Sequence, residues 1–264
     1  MSATQHRGVM ERRRTQFGTP FGRETRIALL DTSMAPAVFL TAQAHGKMWA
    51  LVQACDIEIG WFATCTRDEG GNVVIDDVFV PHQVCTIATT TITKDGEAQL
   101  LSTLMGEGRA DTIKRLLCWG HSHVDMQVLP SGTDEEQTNV YIKKHAKQGY
   151  FVRIIGNKQG ALAVSVYLLD EGFVVHHPLL RIEKSRKEWA QWAKREIKAK
   201  VIEGVFSVES YKNSKFSLKD ISLETLGAWL KSGRIDYALH DKLAVSAPKG
   251  ETVFPLTTER ITHE

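Results

Sequence analysis

From Ala37 onward, short apolar runs alternate with polar, glycine-bearing breaks at spacings that suit strands and helices in turn. Ala37–Ala42 reads as a strand and His45–Ala54 as a short helix. Ile57–Thr66 and Val73–Val80 read as the arms of a hairpin around Asp68-Glu69-Gly70-Gly71-Asn72, a cluster of turn formers. In the first arm Ile57, Ile59 and Trp61 share one face, which leaves Glu58 on the other beside Gly60. Another strand is expected over Cys85–Thr93, where β-branched residues are dense, and a helix over Gly96–Met105. Leu116-Leu117-Cys118-Trp119 reads as a buried strand, followed by a helix over Glu135–Gln148. Tyr150–Ile155 and Ala161–Leu169 then pair around Gly156-Asn157-Lys158-Gln159-Gly160. This mixture predicts an α/β fold, a mixed β-sheet flanked by helices.

That domain is expected over residues 31–182, and two stretches stand outside it. Residues 1–30 include Arg12-Arg13-Arg14, for which a solvated, flexible N-terminal segment is a better reading than a nucleic-acid arm. Residues 183–264 read as a C-terminal helical extension of unknown role. Within Lys184–Val205, the residues Trp189, Trp192, Ile197 and Val201 fall on one broad helical face, of the kind that packs on a parent domain. Ser217–Ser232 reads as a further short helix with Leu223, Leu226 and Leu230 on one side.

Composition narrows the class. With 42% hydrophobic and 24% charged residues in 264, the chain is neither a disordered nor a membrane sequence. Its longest apolar stretch, Ala161–Leu169, is too short to span a bilayer. Met1–Pro20 has no apolar core of the kind a signal peptide needs, so a cytoplasmic location is expected. A formal charge of +2 gives nucleic acid no support as the main partner. Cys55, Cys65, Cys85 and Cys118 show no C-x2-C spacing and sit in apolar surroundings, as small buried thiols do. His45, His82 and His145 are read as ordinary surface or boundary residues, and the His176-His177 pair before Pro178, which could be imagined as a second metal site, is assigned no role. Adjacent strand residues such as His176 and His177 point to opposite faces and do not readily share an ion.

The chemistry concentrates after Trp119. His121-Ser122-His123, then Ser131 and Asp134, spell H-x-H-x(7)-S-x(2)-D. Histidines at i and i+2 on a strand place both imidazoles on one face. Two imidazoles and a carboxylate make a three-ligand set suited to zinc, with a further position open to water. Helix capping alone is a competing account of Ser131 and Asp134, although one helix start can both cap itself and aim Asp134 at a metal. A zinc hydrolase also needs a base, usually a carboxylate that is not itself a ligand. Glu58, an acid between isoleucines, is the best candidate; a solvent-facing acid on an amphipathic edge strand is the plain alternative.

Taken together, Glu58 in E-I-G-W, G-H-S-H-V-D-M at 120–126 and P-S-G-T-D at 130–134 resemble the JAMM (MPN-plus) zinc metallopeptidase motif, with every position filled. The resemblance covers approximately Ala37–Leu180, and the short G-H-S-H-V-D-M form is similar to prokaryotic and phage members. It implies a cytidine-deaminase-like architecture, one zinc ion on His121, His123 and Asp134, Glu58 as general base and Ser131 as stabiliser of the oxyanion. It implies hydrolysis of an amide bond in a protein substrate, often the isopeptide bond at a ubiquitin-like C-terminus. Processing of a phage or host protein at an ordinary peptide bond is the alternative. A non-catalytic MPN scaffold typically lacks the ligands present here. A deaminase would call for H-x-E and C-x-x-C, and the chain has neither.

Overall fold

The computed structural model describes residues 9–12, 35–185, 188–213 and 223–246. In chain order the first unit comprises β1 (Val9–Arg12), β2 (Val38–Leu40), α1 (Ala42–Ala54), β3 (Gly60–Arg67), β4 (Val73–Phe79), β5 (Gln83–Cys85), β6 (Thr90–Ile92), α2 (Lys94–Gly106) and α3 (Ala110–Lys114). It continues with β7 (Leu116–Ser122), α4 (Gly132–Lys144), β8 (Tyr150–Gly156), β9 (Leu162–Leu168), β10 (Phe173–His176), β11 (Leu180–Ile182), α5 (Ala190–Lys200) and β12 (Val201–Glu203).

Strands β7 and β8 are buried at every residue, which is why they read as unbroken apolar runs rather than alternating ones. They pair in parallel, Cys118 opposite Val152 through Ser122 opposite Gly156, with α4 as the crossover between them. On the other side of β7, β3 is antiparallel, with Gly60 opposite His121. The main sheet has the order β1-β10-β9-β8-β7-β3-β4-β2-β11, and a second, small sheet has the order β12-β5-β6. The observed class is therefore the α/β mixed sheet flanked by helices that the pattern predicted.

One sheet face packs Phe62, Trp119, Phe151 and Tyr167 against Leu104 of α2 and Tyr141 of α4. The opposite face is covered by α1, whose Met48, Leu51 and Val52 are buried. Helix α5 lies on α1: the Lys47 ammonium sits 5.2 Å and 5.0 Å from the Trp189 and Trp192 ring centroids while pairing with Asp77 at 2.5 Å. All four cysteines are buried free thiols.

Several expectations need correction. Cys85–Thr93 is not one strand but the two arms of a hairpin, because Thr86 Oγ1 accepts from the amides of Ala88 and Thr89 and turns the chain. Val201 does not continue the helical face; it opens β12, which pairs with β5 in parallel. The described residues of 183–204 stand with the first unit, which runs to Gly204. At the N-terminus, Val9–Arg12 adds an antiparallel strand to β10, whose outer edge offers unpaired backbone groups; the remainder of residues 1–30 lies outside the described residues.

The second unit, from Val205, contains α6 (Val208–Asn213), α7 (Leu223–Lys231) and α8 (Tyr237–Ser246) around buried Phe206, Leu226, Ile235, Leu239 and Leu243. Asp236 links two of the helices, accepting the Leu239 amide through Oδ1 and the Val208 amide through Oδ2. The expected helix over Ser217–Ser232 is observed from Leu223; residues 217–222 lie outside the described residues.

Candidate metal centre

Strand β7 delivers both histidines. His121 is its penultimate residue, and His123 lies one step past its end, where its amide extends the ladder to the Gly156 carbonyl at 2.8 Å. Alternation places them on the face of Trp119, whose indole stacks on the His121 ring with centroids 4.7 Å apart. The two Nε2 atoms stand 3.1 Å apart. Gly120, between Trp119 and His121, has no room for a side chain, because a Cβ there would run into the Trp61 indole.

The third donor comes from the start of α4. Ser131 is the N-cap: its Oγ accepts the Asp134 amide at 3.2 Å, and the Asp134 Oδ2 accepts the Ser131 amide at 2.7 Å. The same carboxylate faces the histidines, with Oδ1 3.0 Å from His121 Nε2 and Oδ2 3.4 Å from His123 Nε2. Capping and presentation to an ion are thus one arrangement. Below it, Thr138 Oγ1 donates to the Asp134 carbonyl at 2.6 Å, and Arg153 Nη1 reaches both Glu135 Oε1 at 2.6 Å and Thr138 Oγ1 at 3.3 Å. A buried arginine therefore ties β8 to the first turns of α4.

His121, His123 and Asp134 are 0%, 3% and 8% exposed, and among the described residues they form the one cluster of three such side chains that could hold a metal ion. One donor atom from each residue lies within 4.8 Å of the others. The two Nε2 atoms are 3.1 Å apart, His121 faces Asp134 Oδ1 at 3.0 Å and His123 faces the other oxygen, Oδ2, at 3.4 Å, where tetrahedral zinc would set its donors roughly 3.3–3.6 Å apart. His123 Nδ1 donates at 2.7 Å to the Gln127 carbonyl, which leaves the Nε2 lone pair facing the cluster. Burial lowers the pKa of His121, against the opposing pull of Asp134. Burial pulls the Asp134 carboxyl upward, but facing His121 and His123 outweigh it and hold the carboxyl below its ordinary range. Neutral imidazoles and an ionised carboxylate are the forms a cation requires.

Glu58 is 2% exposed, which removes the solvent-facing alternative. It does not lie in a strand, since β3 begins at Gly60; the simple alternation fails because β3 is buried on both faces. Its backbone is held all the same. The Glu58 amide donates to the Thr86 carbonyl at 2.9 Å, and the Ile59 amide donates to Ser122 Oγ at 3.0 Å. Gln83 brackets Gly60, accepting its amide at 2.7 Å and donating to its carbonyl at 2.9 Å. Glu58 Oε1 is buried without a hydrogen-bond partner. Burial first, then the Asp134 charge, pushes its carboxyl well above the usual carboxylate range.

No protein-family model and no curated protein matches the chain. Among solved structures, it is similar to a protein from Desulfitobacterium hafniense known from its solution structure. That similarity has 16% identity and a TM-score of 0.34, and covers 56% of this chain and 94% of the other.

The motif does not contain the groups that support the ligands. Gln127 acts through its backbone carbonyl, which carries no signature of residue type. Arg153 had a signal, a lone charge inside the apolar run Tyr150–Ile155. Two cavities, of about 560 Å³ beside His45, Trp49 and Trp189 and about 330 Å³ beside Lys47, Phe79 and Arg109, lie away from the metal cluster, whose residues line neither. No helix among the described residues is long and apolar enough to cross a membrane.

Proposed function

We propose that this protein is a zinc-dependent peptidase or isopeptidase of the JAMM type, hydrolysing an amide bond in a protein substrate, with a ubiquitin-like C-terminus as the candidate tail. The observation that carries this reading is the convergence of the buried His121, His123 and Asp134, one donor atom of each within 4.8 Å of the others, together with a buried acid, Glu58, whose Oε1 has no hydrogen-bond partner.

His121 and His123 would hold the ion through Nε2, and Asp134 through its carboxylate. Zinc bound there supplies Lewis acidity, making water a competent nucleophile near neutral pH and polarising the scissile carbonyl. Glu58 accepts the proton of the attacking water at its carboxylate and passes it to the leaving amine nitrogen. A raised pKa suits that double duty, because the same group must take a proton and then release it. Ser131 Oγ accepts the Asp134 amide, and its own hydroxyl hydrogen is available to the carbonyl oxygen as charge develops there.

The test is elemental analysis of wild type and Glu58→Gln, followed by cleavage assays on ubiquitin-like fusions and on unfused peptides. Both proteins should carry about one zinc per chain, while Glu58→Gln loses about 10²–10⁴-fold in turnover. Wild type that takes up no zinc, or a Glu58→Gln enzyme of undiminished rate, defeats the reading. Cleavage confined to unfused peptides would keep the chemistry and remove the ubiquitin-like tail.

A further inference from the structure

The turn between β8 and β9 grips the loop that leaves the metal cluster. Asn157 Nδ2 donates to the Met126 carbonyl at 2.9 Å, the Lys158 amide donates to the Val124 carbonyl at 2.7 Å, and Gln159 Nε2 donates to Asp125 Oδ1 at 3.2 Å. Three consecutive turn residues thus hold three consecutive loop residues. The next loop residue is Gln127, whose carbonyl accepts the His123 Nδ1 proton at 2.7 Å.

The loop does not hold this shape for free. Val124 sits at φ +45°, in the left-handed region that a β-branched residue adopts only when its surroundings impose it. Asn157 is the side chain best placed to impose it. It is 7% exposed, and its Oδ1 accepts the Ala161 amide at 2.9 Å, so the same amide group closes the turn and clamps the loop. The Met126 amide also donates to the His123 carbonyl at 2.7 Å, so without the Nδ2 donor that turn loses its outer hold on the part-buried Met126 carbonyl, leaving Val124 freer to relax toward negative φ and the Gln127 carbonyl freer to leave His123.

We infer that Asn157 is a positioning residue for the metal: it keeps the 124–127 loop in the form that presents the Gln127 carbonyl to His123 Nδ1, and so keeps the His123 Nε2 lone pair on the ion. This rests on the metal-site reading above. It adds a residue that touches neither the ion nor a ligand side chain.

Asn72 provides a matched control. It too sits at a hairpin turn, with Nδ2 donating to Asp68 Oδ2 and Oδ1 accepting the Ala37 amide, both at 3.0 Å, and neither partner belongs to the cluster. The experiment measures zinc affinity of the full chain by chelator competition for wild type, Asn157→Ala, Asn157→Asp and Asn72→Ala. It also reads the imidazole ¹⁵N shifts of His123 in the zinc-free proteins, which report the tautomer directly. Loss of a group supporting a histidine ligand should weaken zinc about 10–100-fold in Asn157→Ala, with the Nε2–H tautomer of His123 appearing; Asn72→Ala keeps wild-type affinity and tautomer. Asn157→Asp retains the acceptor that closes the turn and replaces the donor to Met126 with a carboxylate oxygen. Weaker binding there, against the attraction of an added negative charge, supports the clamp, and it decides the matter if Asn157→Ala does not fold. Wild-type affinity in the Asn157 variants, or weakened affinity with an unchanged His123 tautomer, overturns the inference alone. A wild type that binds no zinc overturns the metal-site reading and this inference with it.

Discussion

At the start of α2, Thr93 Oγ1 accepts the Gly96 amide at 2.9 Å; at the start of α4, Ser131 Oγ accepts the Asp134 amide at 3.2 Å. Both caps satisfy the same orphan donor of a helix N-terminus. The third helical position then diverges. In α2 it is Gly96, because a Cβ there would collide with the His82 backbone carbonyl. In α4 it is Asp134, whose carboxylate returns to the Ser131 amide and also faces two imidazoles. Helix α2 does carry acids in its first turn, Asp95 and Glu97, but Asp95 is exposed and Glu97 pairs with Lys144. A helix start is local grammar. Whether it does chemistry depends on what the neighbouring strand sets opposite its third residue.

The largest contrast should come from breaking that third position in each helix. Asp134→Ala should lose its zinc while remaining folded. Gly96→Ala should keep zinc and lose about 1–3 kcal/mol of stability to overpacking. Elemental analysis beside urea unfolding reads both. Zinc retained in Asp134→Ala would end the functional side of the comparison.

Removing the caps themselves should separate the two helices more finely. Thr93→Ala and Ser131→Ala each lose roughly 1 kcal/mol of stability. Only Ser131→Ala should also lower turnover, by about 10²–10³-fold if its hydroxyl serves the oxyanion. Equal turnover in the two variants would reduce Ser131 to a cap.

The smallest effect lies at the far end of α4. His145 stacks on Phe151 with centroids 5.5 Å apart, and burial, then Lys144, pushes its pKa down from 6.5 to about 4. The unfolded chain therefore binds more protons than the folded one between those values. The contribution of His145 is complete above pH 6.5 and is lost as pH falls toward about 4. The melting temperature of His145→Gln should consequently fall less than that of wild type across this window. Parallel melting curves would show that this end of α4 carries no pH dependence.

Much of this architecture was legible beforehand, for identifiable reasons. The strands β7, β8 and β9 announced themselves as apolar runs between turn formers, and α1, α2 and α4 lay close to their expected spans. The hairpin β5–β6 was not legible, because its turn is made by Thr86 and Thr89 in a β-branched stretch with no glycine, proline or asparagine to mark it. The burial of Glu58 was hidden for a different reason: alternation reports which face is wet, and β3 has no wet face over Gly60–Cys65.

The sequence by itself determined which donors exist and how they are spaced. His121 and His123 share a face because strand side chains alternate, and Asp134 reaches the third helical position because Ser131 caps the helix; both relations are local. Tertiary structure decided what no local rule reaches. The backbone around Glu58 is held by the bond from Ile59 to Ser122, 63 residues away, and the Gln127 carbonyl faces His123 in a loop gripped by Asn157, 31 residues beyond Met126. Backbone carbonyls and buried faces carry no residue code, so their roles emerge only when the sheet closes around them.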